Sequence, residues 1–475
     1  MSNKRCNFAA DLNFMRNFLW IIAALLMIAP AYAEVPTRTL PIIYVNTQNG
    51  QDIVDKEMQI PATVYIDSVL PEYAPLGSEA APLTATIKGR GNWTWRGFDK
   101  KPYKLKFDTK TKVLGMPKNR HWCLMASADD WLAFLKMPAG FALSEAVGLR
   151  WTPRTRPVEF ILNGQYMGLY FLTEHVRIGS NRVNITEQAE NETDPDSITG
   201  GWLVEIDNYW EEGNVEFHEG NGQKVMVTIK EPEIVSAQQR AYIENQLLTL
   251  NDEIYKLPSL QGGDGGRLSE ILDIDEAARY YIVQEIMEDC ESYHGSCFLY
   301  KDRDTSGVAD KWKFGPVWDF GNAYNRDQDA WIYVNPMFEQ YWIGQLAKHP
   351  VFQQAVAEQW WIFYHERKDS VRAQIREFAD QIQTAAARDA VRWKGTLNYR
   401  GSSEFTVARD RFFSRFDKRI NWLYSQWGEG VRPLTWGLDT PQKEQPSRGR
   451  KVLRNGRLLI ELDGQLFTLT GALAE

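Results

Sequence analysis

The sequence has 475 residues, 44% hydrophobic and 24% charged, which supplies a large globular core and excludes a disordered or fibrous chain. That length accommodates two lobes or domains plus appendages. A formal net charge of −8 excludes a surface devoted mainly to nucleic acid, although local basic clusters are compatible with it.

Arg16 precedes an apolar run from Phe18 to Ala29, and Ala31-Tyr32-Ala33 supplies a small-residue cleavage pattern, so residues 1–33 read as a signal peptide. The run is too short, and too soon followed by Pro30, to span a membrane. Met15 is an alternative start. The expected destination is the periplasm, the cell surface or the extracellular space. Loss of Cys6 leaves Cys123, Cys290 and Cys297, an odd number read as buried, inert thiols, with one bridge plus a free thiol as the alternative. No cysteine or histidine spacing suggests zinc.

Short strands are expected at Leu40 to Val45, Ala62 to Ile66 and Leu83 to Lys88, separated by Gly, Pro and Asn. In the strand from Lys101 to Asp108, Tyr103, Leu105 and Phe107 share one face and Lys104, Lys106 and Asp108 the other, giving a row of ammonium groups. After a strand at His121 to Ala126, Asp129 or Asp130 is placed to cap a helix running towards Val147, with Pro138 as a kink or break. Asn163-Gly164 between two apolar runs predicts a type I′ hairpin that ends at Glu174. Trp202 to Asp207 and Lys224 to Lys230 complete a β-rich first half.

From Ser236 the periodicity turns helical, with helices expected at Ala237 to Tyr255, Asp275 to Asp289, Val351 to Tyr364, Ser370 to Ala387 and Phe405 to Trp427. A β-hairpin within Glu285 to Asn325 interrupts them, and Gln261 to Gly266 reads as a flexible loop. The whole predicts a two-lobed α+β protein with a cleft between lobes, spanning residues 34–436. Residues 437–450 read as a linker and 451–475 as a short β-hairpin-like tail with Asn-Gly and Asp-Gly turns. That tail resembles those of many exported Gram-negative proteins, where it serves sorting or anchoring; a plain β-appendage is the alternative.

The densest chemistry lies between Glu285 and Asn325. Phosphoryl transfer needs cations on the phosphates, one or two carboxylates for a divalent metal, and an acceptor for the nucleophile's proton. Arg90, Lys104 and Lys106 are candidates for the first, Asp319 for the second, and Glu291 or Asp289 for the third, with Ser296 and Asn322 as further oxygen ligands. Asp319 lies among Phe314, Val317, Trp318 and Phe320, a setting that predicts a near-core carboxylate in need of a cation.

Five segments in order carry a resemblance: Arg90-Gly-Asn-Trp-Thr-Trp, Lys100-Lys-Pro-Tyr-Lys-Leu-Lys-Phe, Leu162-Asn-Gly-Gln-Tyr-Met-Gly-Leu-Tyr-Phe-Leu-Thr-Glu, Gly200-Gly-Trp-Leu-Val-Glu-Ile-Asp and Phe314-Gly-Pro-Val-Trp-Asp-Phe-Gly-Asn. Together they resemble the spore-coat protein H (CotH) kinase family of secreted or surface-exposed atypical kinases. The resemblance implies a kinase-like fold, ATP, Mg²⁺ or another divalent metal, and a protein substrate with Ser or Thr hydroxyls. It implies Asp319 as the metal-binding aspartate. The family's Asp-x-x-x-x-Asn element falls on Glu291 and Ser296, with Asp289 as the other candidate base and Asn322 as a further ligand. Its nucleotide lysine falls on Lys104, near Arg90, with Glu174 or Glu145 as partner. The Glu and Ser depart from the family pattern, which leaves open a catalytically inactive binding module or a transferase of another group. Eighteen tryptophans and the carboxylates Glu174, Glu205, Asp207, Glu291 and Asp319 leave a carbohydrate-active hydrolase as a further alternative.

Overall fold

The computed structural model describes residues 39–68, 70–207, 215–218, 224–256, 267–326, 329–334, 342–433, 450–454, 457–462 and 465–467. The expected signal peptide, the loop 261–266 and all but the last residue of the linker 437–450 lie outside the described residues.

Seven strands close into a barrel: β1 (Ile42–Thr47), β2 (Ile60–Asp67), β3 (Leu83–Gly89), β4 (Tyr103–Val113), β5 (Met116–Met125), β6 (Thr155–Leu162) and β7 (Gln165–Glu174). Their order is β1-β2-β3-β4-β5-β7-β6, and a parallel pairing of β1 with β6 closes the ring. Closure satisfies every strand edge without a partner chain. Alternation fills the interior with residues such as Val45, Ile87, Leu105, Trp122 and Phe160, and leaves Lys104 and Lys106 half-buried on the outer face. Asn163 and Gly164 carry φ values of 50° and 76°, the type I′ turn their sequence predicts.

A second sheet has the order β12-β11-β8-β10-β9, from β8 (Trp202–Ile206), β9 (Val215–His218), β10 (Lys224–Glu231), β11 (Cys297–Lys301) and β12 (Lys313–Phe314). This corrects the expected division of the chain. β8 and β10 do not join the first half's barrel; β8 pairs with β11, Val204 opposite Leu299, so the second half completes their sheet. Both faces of β8 and β11 are buried, and continuous apolar runs suit that position.

Among the described residues there are six longer helices: α1 (Lys136–Val147), α2 (Ala237–Tyr255), α3 (Ile274–Met287), α4 (Pro350–Ile362), α5 (Lys368–Trp393) and α6 (Phe405–Trp427). Ser236 and Gln239 form a reciprocal capping box on α2, and Asp273 caps α3. A π-turn over Phe363–Arg367 joins α4 to α5. Helix α1 starts later than expected and is not capped by Asp129. Asp130 accepts the Leu132 and Lys136 amides at 2.8 and 2.9 Å, and Pro138 falls in the first turn, where its missing N–H costs nothing and no kink follows.

Cys123, Cys290 and Cys297 are unbridged, and burial raises the pKa of each thiol, as expected for inert thiols. The tail has three antiparallel strands, β13 (Arg450–Arg454), β14 (Arg457–Leu462) and β15 (Gln465–Phe467), where a hairpin was expected.

Candidate active site

A cleft of about 600 Å³ opens between the barrel and the second sheet, and Arg90, Lys104, Glu291, Ser296, Asp319 and Asn322 all line it. The barrel supplies a cationic wall. Lys104 projects from β4 because its neighbours Tyr103 and Leu105 turn into the barrel. Burial lowers the pKa of its ammonium, and Lys88, Arg177 and Arg90 lower it further, whereas the nearby Cys123 thiol acts in the opposite sense. The Arg90 guanidinium lies over the Trp318 ring, 5.5 Å from its centre. His121 and His175 complete the wall. Burial first, then Arg177 and Lys104, hold the His121 imidazole down to about 3. His175 is held well below its ordinary value by burial, then by Lys104 and Arg90.

The opposite wall is acidic. Asp319 is exposed into the cleft while Trp318 and Phe320 on either side are buried. The expected near-core carboxylate is thus corrected: a φ of 51° at Asp319 turns its side chain out of the apolar run. Its Oδ1 accepts the Gly321 amide at 3.1 Å. Asn322 donates to the Glu291 carboxylate, and Ser296, with φ 52°, ends the turn that leads into β11.

A model of the CotH kinase family, described as "CotH kinase protein", matches residues 87–423. The chain belongs to the CotH kinase family. No curated protein matches the sequence. The matched span contains every residue that lines the cleft except Lys56.

Four expected site residues of this CotH family member stand elsewhere. Glu174 is fully buried and bound to Arg182 and Arg154 at 2.6 and 3.2 Å. It pairs with Trp122 across β5 and β7, whereas Lys104 pairs with Cys123, one position along, so the two side chains leave opposite faces of the sheet. Glu145 is exposed on α1 and does not line the cleft. Neither glutamate lines the cleft into which Lys104 projects, so neither stands as its partner. Asp289 lies beneath the cleft, fully buried, with Oδ2 lacking a hydrogen-bond partner. Burial, Glu291 and Asp319 push its carboxyl well above the usual range, and it does not line the cleft. Lys106 does not line the cleft either; it sits opposite His121 on the barrel's outer face.

Sequence reasoning read Asp129 and Asp130 as helix caps and missed Lys136. Asp130 spends both oxygens on backbone amides, which leaves Asp129 to the cleft. Burial raises the Asp129 carboxyl to about 6, against Lys136, with Asp319 and Asp130 adding to the rise. A Cβ on Gly321 would meet Asp129 Oδ2 at 2.7 Å and Asp319 Oδ1 at 3.2 Å, so the two carboxylates flank one glycine. Lys136 Nζ donates to the Gly321 carbonyl at 2.9 Å and to Asn325 Oδ1 at 3.1 Å, pinning the turn that follows Asp319. Helix α1 backs this turn closely: Phe141 packs on Trp318 and Phe320, and Gly140 leaves room only for the Phe320 ring. Two adjacent aspartates ahead of a lysine-led helix were the available signal.

Among the described residues no three Asp, Glu, His or Cys side chains stand at metal-binding separation. The oxygen donors Asp319, Asp129, Ser296 and Asn322 nevertheless fit a hard cation such as Mg²⁺, which keeps several waters and needs only one or two carboxylates.

Proposed function

We propose that this CotH family protein is a two-lobed atypical kinase that transfers phosphate from ATP to a protein hydroxyl, with a divalent cation held at Asp319. The observation that carries this reading is the opposition of Arg90 and Lys104 to Asp319 and Glu291 across one cleft. Phosphoryl transfer is dominated by positioning and electrostatics, and the two walls supply opposite signs of charge at the two places where they are needed.

Arg90 and Lys104 hold phosphate oxygens, and the neutral imidazoles of His121 and His175 offer hydrogen bonds without further charge. Asp319, Asn322 and Ser296 hold the cation, with Asp129 beside them. When bound, that cation neutralises charge on the phosphate oxygens. Glu291 accepts the proton of the acceptor hydroxyl, and Asn322 orients its carboxylate. The proposed export rests on the N-terminal segment, and among the described residues no helix is long and apolar enough to cross a membrane.

One observation favours nucleotide binding without transfer: Glu291 and Asn322 bind each other, and Asp289 is buried away from the cleft. Incubation with labelled ATP and Mg²⁺ separates the readings. Protein label from the γ position supports the kinase, label from the α position alone supports nucleotidyl transfer, and binding without label supports an inactive module. Calorimetry that finds oligosaccharide binding and no nucleotide binding supports the hydrolase instead. Asp319→Ala is expected to abolish metal-dependent ATP binding in a folded protein; normal binding by that variant would sink the assignment.

A further inference from the structure

Cations on the barrel continue beyond the cleft. Lys88 pairs with Lys104 across β3 and β4, and Lys106 pairs with His121 across β4 and β5, so these side chains share the barrel's outer face. Lys104 and His121 line the cleft, whereas Lys88, Lys106 and Arg120 stand outside it. All five are half-buried, held on a closed sheet rather than on mobile loops.

These groups feel one another. Lys88, Arg177 and Arg90 act on Lys104, and Arg177, Lys104, Lys106 and Arg120 act on His121. Arg177 has a carboxylate, Glu231 at 3.7 Å, and Lys88 acts on Asp55, whereas the largest charges acting on His121 are Arg177, Lys104, Lys106 and Arg120. In a chain of net charge −8, a face where cations gather this closely is the footprint of an anionic partner.

We propose that this face docks an acidic segment of the protein acceptor, laid along β4 and leading into the cleft at Lys104. The proposal rests on the kinase reading for the identity of the partner. Same-face residues along a strand are about 7 Å apart and neighbouring strands about 5 Å apart. Alternate side chains of an extended peptide repeat at the same spacing of about 7 Å, so the segment carries Asp or Glu at every second position. Such a peptide places its carboxylates over Lys88 and Lys106 while its hydroxyl-bearing end reaches Glu291.

The test is fluorescence anisotropy with the full chain and three labelled peptides of one length: alternating Glu, its Gln counterpart and its Lys counterpart. The Glu peptide is expected to bind at least about tenfold tighter than the Gln peptide. Its affinity is expected to fall as NaCl rises from about 0.05 to about 0.3 M. The charge reversal Lys88→Glu with Lys106→Glu is expected to remove that preference, with an unchanged melting temperature and MgATP affinity within about threefold by calorimetry. Equal binding of the Glu and Gln peptides, or an unaltered preference in the double variant, would overturn the proposal. Tighter binding of a single-stranded oligonucleotide than of the Glu peptide would overturn it too, in favour of a general polyanion face. Loss of MgATP binding with the peptide preference intact would remove the kinase reading alone; MgATP binding without the preference would remove the docking face alone.

Discussion

At Gly321 the absence of a side chain is a chemical requirement. The Asp129 and Asp319 carboxylates close on it from two sides, and Lys136 takes its carbonyl. Gly321→Ala inserts a methyl group between the carboxylates and is expected to weaken Mg²⁺-dependent ATP binding by about tenfold or more, read by calorimetry, with little loss of melting temperature. Ser296 offers the opposite experiment. Its φ of 52° lies where asparagine is tolerated better than most residues, and a carboxamide there regains a stronger oxygen ligand. Ser296→Asn is expected to raise divalent-cation affinity, measured by Mn²⁺ titration; an unchanged or lower affinity would remove Ser296 from the ligand set. Asp319 and Asn322 were legible as candidate site residues because Trp-Asp-Phe-Gly-Asn is a recognisable string, and both line the cleft. Asp129 was not, because a pair of aspartates before a helix has an ordinary capping role, and only the fold reveals that Asp130 alone fills it.

Among the elements, α5 fastens the helical part to the barrel. Asp389 on α5 meets Lys100 at 2.7 Å with both side chains fully buried, and also accepts the Leu169 amide at 2.8 Å and the Tyr399 hydroxyl at 2.6 Å. Gly168, with φ 98°, lets the Asp389 carboxylate approach the β7 backbone. Trp393, four residues on, donates to the Met167 carbonyl at 2.7 Å. Removing one member leaves the other charge buried and unpaired, so Asp389→Ala is expected to cost about 3–5 kcal/mol in urea unfolding. Lys100→Met combined with Asp389→Leu is expected to cost less than Asp389→Ala alone, since no orphan charge remains. The extent of α2 and α6 was legible within a residue or two from periodicity and caps. The sheet partners of β8 and β10 were not, because hydrophobic runs report that a strand is buried without saying which strand lies beside it.

Across the molecule, buried titratable groups oppose one another. The His121 and His294 imidazoles are held down to about 3 and about 4 by burial, and His175 falls well below its ordinary value. In the unfolded chain these rings charge near pH 6.5, so their contribution is present above that value and lost as pH falls towards about 4. Glu231 and Glu285 run the other way: burial raises each to about 7, so their contribution is present below about pH 4.5 and lost as pH rises through about 7. Asp129, raised to about 6, and Asp289, raised well above its ordinary value, act in the same sense as these glutamates, so the histidine part is read by difference. His121→Gln combined with His294→Gln is expected to remove a loss of stability that develops between about pH 6.5 and about 4.5, so the variant's melting temperature relative to the parent rises over that range; an unchanged difference would refute the histidine contribution.

By itself the sequence determined the alternation of β4, the Asn163-Gly164 hairpin and the helical second half, and it singled out Arg90, Lys104, Glu291, Ser296, Asp319 and Asn322, which line one cleft. These follow from short-range sterics and periodicity, which act over a few residues and are written in the local order of side chains. Tertiary structure decided the closure of the barrel, the strand exchange between the two halves, the burial of Asp289, the diversion of Glu174 to two arginines and the arrival of Asp129 beside Asp319. Each of these depends on register and burial between segments far apart in the chain, and a shift of one residue in strand pairing, as between Glu174 and Lys104, sends a side chain to the opposite face.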